Sequence, residues 1–297
     1  MNNNRILWVW FFICCIVIHT QEAIASDKLF VVVTASYNNA KWCHQNLHSI
    51  FGQKYSNFHL IYIDDCSTDG TAHLVEGWAR KQGVQDKITL IRNKERLGAM
   101  ANHYRAIQLI PDKAIVCIVD GDDWLAHYEV FNYLNRIYSS SDTWLTYGQF
   151  QSWPDNGVGW CVEIPETYVS RNAFREFERN LSHLRTFYAG LFKQIKKEDL
   201  MYNNLFLPMC ADNAAMFPMA EMARGHIKFI SKVLLIWNGG SPINDHKISS
   251  DLQKDMDLLV RKLPRYSRIN TPFKDGKMGT VAELKEAVAA ARQEGII

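Results

Sequence analysis

AIVCIVDGDDW, residues 114–124, is the stretch whose reading decides the fold. An apolar, β-branched run (Ile115, Val116, Ile118, Val119) stops abruptly at Asp120, Asp122 and Asp123. A continuous apolar run of this length reads as a strand buried on both faces, as in the middle of a parallel sheet. Three carboxylates at its carboxyl end repel one another unless a cation or a donor-rich ligand sits among them. Hard oxygen ligands on a short loop suit Mg²⁺ or Mn²⁺, ions that commonly carry a substrate's phosphates. Open α/β sheets bind ligands at that end of their strands. The plainer alternative is a polar turn that caps the next helix through Asp123, which needs only one carboxylate.

Working outward, strand and helix patterns alternate. Residues 29–33 (LFVVV) read as a first strand, with TASYNN as its polar exit loop. Residues 42–51 have helical spacing, with Leu47, Ile50 and Phe51 on one face and Gly52 as C-cap. FHLIYI, 58–63, is a second strand running into Asp64 and Asp65; CSTDGT then turns the chain. Ser67 or Thr68 is placed to N-cap a helix that runs to about Gln82. A short strand at 88–91 and a helix through Ile110, closed by Pro111, lead back to the Asp-ended strand. This alternation predicts an open, mostly parallel sheet with right-handed crossovers. No G-x-G-x-x-G follows the first strand and no G-x-x-x-x-G-K-[ST] occurs, which disfavours dinucleotide and P-loop sites.

The 297 residues suffice for one large domain or two small ones. A formal charge of +2 shows no basic bias, so nothing global points to nucleic acid. Polar residues 1–5 precede an unbroken apolar run at 6–18, and Ala23-x-Ala25 matches a cleavage pattern. Residues 1–25 therefore read as a signal peptide cleaved after Ala25, or as a short membrane anchor. Either places the protein in the secretory pathway, the periplasm or at a membrane. Beyond that segment the five cysteines (Cys43, Cys66, Cys117, Cys161, Cys210) contain no C-x-x-C and define neither a disulfide framework nor a zinc site.

VVVTASYNN (31–39), IYIDDCSTDGT (61–71), NKERLGAMANHYRAI (93–107) and VCIVDGDDWL (116–125), in this order and spacing, resemble the nucleotide-sugar half of a family 2 glycosyltransferase of GT-A fold. The resemblance covers residues 29 to about 133. The usual proline of the first motif is absent; Ala35 and Ser36 precede Tyr37. What the resemblance implies is a metal-dependent, inverting transfer from a nucleotide-diphospho-sugar, a UDP-sugar, to a glycan, lipid or protein hydroxyl, with Mn²⁺ or Mg²⁺ as cofactor and no nucleic acid partner. It implies that Ala35 and Tyr37 lie against the nucleobase, that Asp65 accepts from the base's imino N–H, and that Asn102 touches the nucleotide. A half-buried loop aromatic and a solvated helix position are the structural alternatives for Tyr37 and Asn102. Asp120 opens the D-x-D, and Asp122 and Asp123 hold ribose and metal, with His246 as a further ligand or simply a solvated loop residue. Imidazole suits Mn²⁺ better than Mg²⁺.

The second half is less regular. Residues 144–150 alternate like a strand, followed by Trp153 and Trp160, which either stack on acceptor sugars or plug the core. Residues 183–195 are amphipathic and basic; His183 and Arg185 either meet diphosphate oxygens or lie at a solvated helix end. PMCADNAAMFPMAEMA sets one carboxylate, Asp212, in an apolar context, where it should have a raised pKa or a defined task. The family carries an acidic pair here; Ala211 replaces its first member, Asp212 matches the second as general base, and Glu221 is the stand-in. Residues 232–237 read as a closing strand. Two charge-rich helices, 251–263 and 281–293, form a tail, packed on the domain or free for a partner. The organisation expected is thus 1–25 signal or anchor, 27–245 the GT-A domain (27–140 for the nucleotide-sugar, 141–245 for the acceptor) and 246–297 the helical tail. Two rival readings remain. One is a sugar nucleotidyltransferase, which would want a Gly-rich basic loop after the first strand. The other is a secreted, catalytically degenerate binder of glycan or nucleotide.

Overall fold

A computed structural model describes residues 27–139, 142–274 and 279–297. The expected signal or anchor segment lies outside the described residues. Among those described, no helix is long and apolar enough to cross a membrane.

Each apolar run of the first half becomes a strand, and each 3.6-period stretch a helix. The order is β1 (Phe30–Ser36), α1 (Cys43–Phe51), β2 (Phe58–Asp64), α2 (Thr71–Gln82), β3 (Ile88–Arg92), α3 (Ala99–Leu109) and β4 (Ile115–Ile118). β5 (Trp124–Leu125), α4 (Val130–Tyr138), β6 (Leu145–Trp153), α5 (Glu166–Ser170), β7 (Arg185–Tyr188) and α6 (Ala189–Phe192) follow. The chain continues through β8 (Met201–Tyr202), β9 (Leu205–Phe206), α7 (Ala211–Met222) and β10 (Ile227–Asn238). It closes with α8 (Asp245–Ile248), α9 (Ser250–Lys262) and α10 (Val281–Gln293). Eight strands form one sheet in the order β3-β2-β1-β4-β7-β6-β10-β5; β8 and β9 pair separately. β3, β2, β1, β4, β6 and β10 run the same way, while β7 is antiparallel to β4 and β6, and β5 to β10.

β4 is fully buried with β1 on one side and β7 on the other, which is why its sequence is apolar without alternation. The basic stretch after His183 departs from the solvated-helix alternative. Arg185–Tyr188 is a buried strand filling the gap between β4 and β6. Tertiary pairing decides this: Thr186 Oγ1 bonds Thr146 Oγ1 at 2.6 Å and the Tyr138 hydroxyl at 2.9 Å, so its polar group is satisfied inside the core. α2 also starts differently from expectation. Its N-cap is Gly70, at φ 89°, and neither Ser67 nor Thr68 caps it. Asp69 instead accepts the Thr71 N–H (3.0 Å) and the Ala40 N–H (2.8 Å), tying the loops after β1 and β2 together. The tail helices pack on the sheet's covering layer. α9 buries Met256 and Val260, and α10 buries Leu284, Val288 and Ala291. The described cysteines are all free thiols.

His59 sits inside β2, 2% exposed, with Nε2 2.9 Å from Thr89 Oγ1. Burial, helped by the Lys285 charge, pushes its pKa down from 6.5 to about 4. A group with a depressed folded pKa binds fewer protons native than unfolded, so its contribution is complete above pH 6.5 and is lost as the pH falls toward 4. Acidification from pH 7 to 5 is therefore expected to destabilise the fold by roughly 2 kcal/mol through this residue. Thermal unfolding of wild type and His59→Gln at both pH values checks this; the variant should lose distinctly less on acidification.

Candidate active site at the carboxyl ends of the parallel strands

A cleft of about 310 Å³ opens where β1, β2 and β4 end, and α3, β7, α7 and β10 complete its walls. Ala35, Tyr37, Asp65, Asn102, Asp120, Asp122, Asp123 and Asp212 all line it. One cavity thus holds residues from both halves of the chain.

The β2 end forms one wall. Asp65 is 3% exposed; Oδ1 accepts from the Leu97 N–H (2.9 Å) and Asn93 Nδ2 (2.8 Å), and Oδ2 from the Gly98 N–H (2.9 Å). Burial alone would raise its pKa, but these donors, with Asn102 beside it, outweigh burial and hold it below the usual carboxylate range. Asp65 therefore also pins the loop entering α3. The Arg96 guanidinium lies 4.0 Å above the Tyr37 ring centroid, so that aromatic presents a cation-covered face. Asn102 is buried rather than solvated, and its Oδ1 accepts from Asn93 Nδ2 at 2.7 Å.

The β4 end turns sharply. The Asp123 N–H donates to the Asp120 carbonyl (3.0 Å), so residues 120 and 123 are the ends of a tight turn with Gly121 and Asp122 at its corner. A Cβ on Gly121 would come within 2.5 Å of Ser36 Oγ and 2.7 Å of Asn39 Nδ2, so only glycine lets the turn press against β1's exit loop. That geometry sets which carboxylates meet. Ligand atoms of Asp120, Asp123 and His183 lie within 4.8 Å of one another, a grouping that could hold a metal ion. Of the expected trio of Asp122, Asp123 and His246, Asp123 belongs to this grouping and Asp122 lines the same cleft. The Asp122 charge bears on Asp123 directly, and the side chain of His246 lies outside the described residues.

Electrostatics single out the same turn. Asp123 is 1% exposed; Oδ1 accepts the Asn238 N–H at 2.8 Å, while the buried Oδ2 has no partner. The plain capping alternative fails, because Asp123 leads into β5 and not into a helix. Burial, then the neighbouring Asp122 and Asp120 charges, pushes its carboxyl well above 3.8. Burial also raises Asp122, to about 6, against the lowering effect of Ser241. His183 is driven down to about 3 by burial and by Arg185, so its imidazole is neutral and able to ligate.

Asp212 stands in the first turn of α7, beyond the N-cap Cys210. It is not the isolated carboxylate its sequence context suggests. Its Oδ1 accepts its neighbour's N–H (Asn213, 2.8 Å), and Oδ2 lies 3.3 Å from Arg185 Nη1. Glu221 is a correction. It is fully buried outside the cleft, paired with Arg175 at 2.6 and 2.9 Å, and accepts the Tyr266 N–H at 2.9 Å. About two and a half helical turns separate it from Asp212, which puts it on the opposite face of α7, in the core beside α9, where its charge is wholly committed. Of the tryptophans, Trp153 packs edge-on against Trp42 and Trp124, Trp160 is 45% exposed, and Trp237 lines the cleft.

Residues 31–200, more than half of the chain, match Glycosyl transferase family 2. The chain belongs to this family. Among relatives, TuaG of Bacillus subtilis, named for teichuronic acid biosynthesis, is 26% identical over 96 residues, covering 32% of this chain and 37% of its own. Matches of this family 2 chain span from 26% to 60% of the length of the curated relatives. Two solved structures superpose over most of it. S. aureus TarS 1-349 in complex with UDP-GlcNAc has a TM-score of 0.59 at 17% identity, covering 89% of this chain and 81% of that one. The Pyrobaculum calidifontis mannosyltransferase PcManGT, in complex with GDP-Man and Mn²⁺, has a TM-score of 0.56 at 17% identity, covering 91% and 76%. At such identities they establish the fold, which is GT-A: a mostly parallel sheet with flanking helices.

For this family 2 chain, what the sequence reading missed is that His183 groups with Asp120 and Asp123 and that Arg185 meets Asp120 and Asp212. The signal was present: His183, Arg185 and Phe187 alternate with Leu184, Thr186 and Tyr188, a period of two that puts the basic pair on one face.

Proposed function

We propose that the protein transfers a sugar from a nucleotide-diphospho-sugar, most simply a UDP-sugar, to a hydroxyl of a glycan, lipid or protein acceptor, with inversion and with a divalent metal. The observation that carries the reading is a single cleft with the Asp120–Asp123–His183 grouping on one wall and Asp212 on another. The residues fit the metal. A buried carboxylate oxygen on Asp123 lacks any partner, and two carboxylates with a neutral imidazole form a donor set suited to Mn²⁺. A bound divalent ion would supply neutralisation of charge on the leaving diphosphate. The named neighbours bind UDP-GlcNAc in one case and GDP-Man with Mn²⁺ in the other, which supports a nucleotide-sugar donor here.

The chain's own residues then divide the work. Tyr37, under Arg96, and Ala35 flank the base, while Asp65 accepts from its imino N–H and Asn102 lies beside it. Asp120 and Asp122 take the ribose and sugar side. Asp212 accepts the acceptor hydroxyl's proton as that oxygen attacks the anomeric carbon from the face opposite the departing diphosphate. We assign residues 27–140 to donor binding and 141–245 to the acceptor, and residues 1–25 to a signal or anchor serving the secretory pathway, periplasm or membrane.

The test is release of nucleotide from a panel of UDP- and GDP-sugars by the purified full chain, with Mn²⁺, Mg²⁺ or EDTA, with and without saccharide acceptors. Metal-dependent release from one donor, stimulated by an acceptor, is expected. No release from any donor, alongside measurable nucleotide binding, would favour the binding-only reading.

A further inference from the structure

Arg185 enters the cleft from β7 with its guanidinium set among Asp120, His183 and Asp212. Its Nη2 lies 3.4 Å from Asp120 Oδ2 and 3.2 Å from His183 Nδ1, two of the three residues of the candidate metal grouping. Its Nη1 lies 3.3 Å from Oδ2 of Asp212, the proposed base. The residue is 6% exposed, whereas the Asp120 and Asp212 side chains are each 36% exposed. Its Nε–H is buried without an acceptor, so the fork holds a donor that the protein itself does not use.

We infer that Arg185 is a positioning residue whose charge, set beside Asp120, His183 and Asp212, makes metal binding depend on the nucleotide diphosphate. The inference rests on the donor-binding reading above. A fixed positive charge beside Asp120 and His183 opposes a dication offered alone, and a guanidinium only 6% exposed is screened less than a surface charge. It also draws the Asp120 and Asp212 carboxylates toward one centre. An incoming diphosphate brings negative charge and acceptors for the unused Nε–H, and planar, bidentate recognition of such oxygens is what a guanidinium does well. Once the fork turns to phosphate, its hold on Asp120 relaxes and the cation's electrostatic penalty falls. Metal and nucleotide thereby bind cooperatively, and by linkage each must raise the other's affinity by the same factor.

The test measures Mn²⁺ binding to the full chain by paramagnetic resonance of the free ion, and UDP binding by calorimetry, each with and without the other. Arg185→Gln removes the charge and should bind Mn²⁺ alone at least tenfold more tightly than wild type, while UDP in the presence of Mn²⁺ binds more weakly. Arg185→Lys keeps the charge and should leave the affinity for Mn²⁺ alone within about threefold of wild type. Circular dichroism establishes that each variant is folded. Should Arg185→Gln not fold, the wild type still decides: equal Mn²⁺ affinity with and without UDP overturns the inference. Unchanged Mn²⁺ affinity in a folded Arg185→Gln, with Mn²⁺-dependent UDP binding intact in wild type, overturns this inference alone. If the wild type binds neither UDP nor GDP at any Mn²⁺ concentration, the donor reading falls and takes this inference with it.

Discussion

Asp212→Asn should keep donor binding and lose transfer by about 10² to 10⁴, the usual contribution of a positioned general base. An amide nearly matches a carboxylate in shape and can still hydrogen-bond an acceptor hydroxyl, but it cannot take up a proton near neutral pH. Its carbonyl can continue to accept the Asn213 N–H, so the first turn of α7 should hold. The donor's proposed contacts, Asp65, Asp120, Asp122 and Asp123, lie on other elements of the cleft and are untouched. The check is turnover at saturating donor and acceptor, with UDP affinity measured beside it. Retention of more than about a tenth of wild-type turnover rejects Asp212 as the base. Glu221 offers no fallback, because its carboxylate is committed to Arg175 in the core.

Asp123→Asn should abolish metal-dependent UDP binding and, without metal, leave the fold as stable as wild type or more so. The two expectations have one cause. The wild-type carboxyl is buried among Asp122 and Asp120, which raises its pKa and costs stability whenever it is charged. Asn preserves the volume and keeps an oxygen for the Asn238 N–H now held at 2.8 Å, so the link between β4's exit and β10 survives. What disappears is the negative oxygen that has no partner of its own. Thermal unfolding with and without Mn²⁺ and UDP reads both effects. Wild type should shift upward with the pair, and Asp123→Asn should show an equal or higher midpoint with no shift. A variant that still gains stability from Mn²⁺ and UDP would move the metal site elsewhere.

Much of the fold was legible because the relevant signals are local. The run ending at Asp120 is apolar at every position, which in a chain of this composition requires neighbours on both faces and hence a central strand. Asp65, Asp120 and Asp122 sit at strand ends, and strand ends of a parallel sheet converge on one edge, so their common cleft follows from periodicity alone. Helices α1, α3 and α9 similarly lie within a residue or two of their expected bounds. The turn around Gly121 was legible only in part: its residues marked a loop, but which carboxylates it pairs depends on the 120–123 hydrogen bond.

The second half resisted because its determinants are far apart in sequence. The basic, amphipathic tract after His183 carries only a short alternation, and it is the antiparallel slot between β4 and β6 that makes Arg185–Tyr188 a strand. Asp212 looked isolated because the Arg185 that meets it is distant along the chain, and Glu221 looked available because Arg175 is likewise remote. Sequence by itself determined the alternating α/β order, the buried central strand and the acidic edge, since hydrophobic period and residue charge act over a few neighbouring positions. Tertiary structure alone decided which charges meet there. Pair distances between remote residues follow from how β7 is inserted and how α7 is seated, and Coulomb and hydrogen-bond energies depend on those distances.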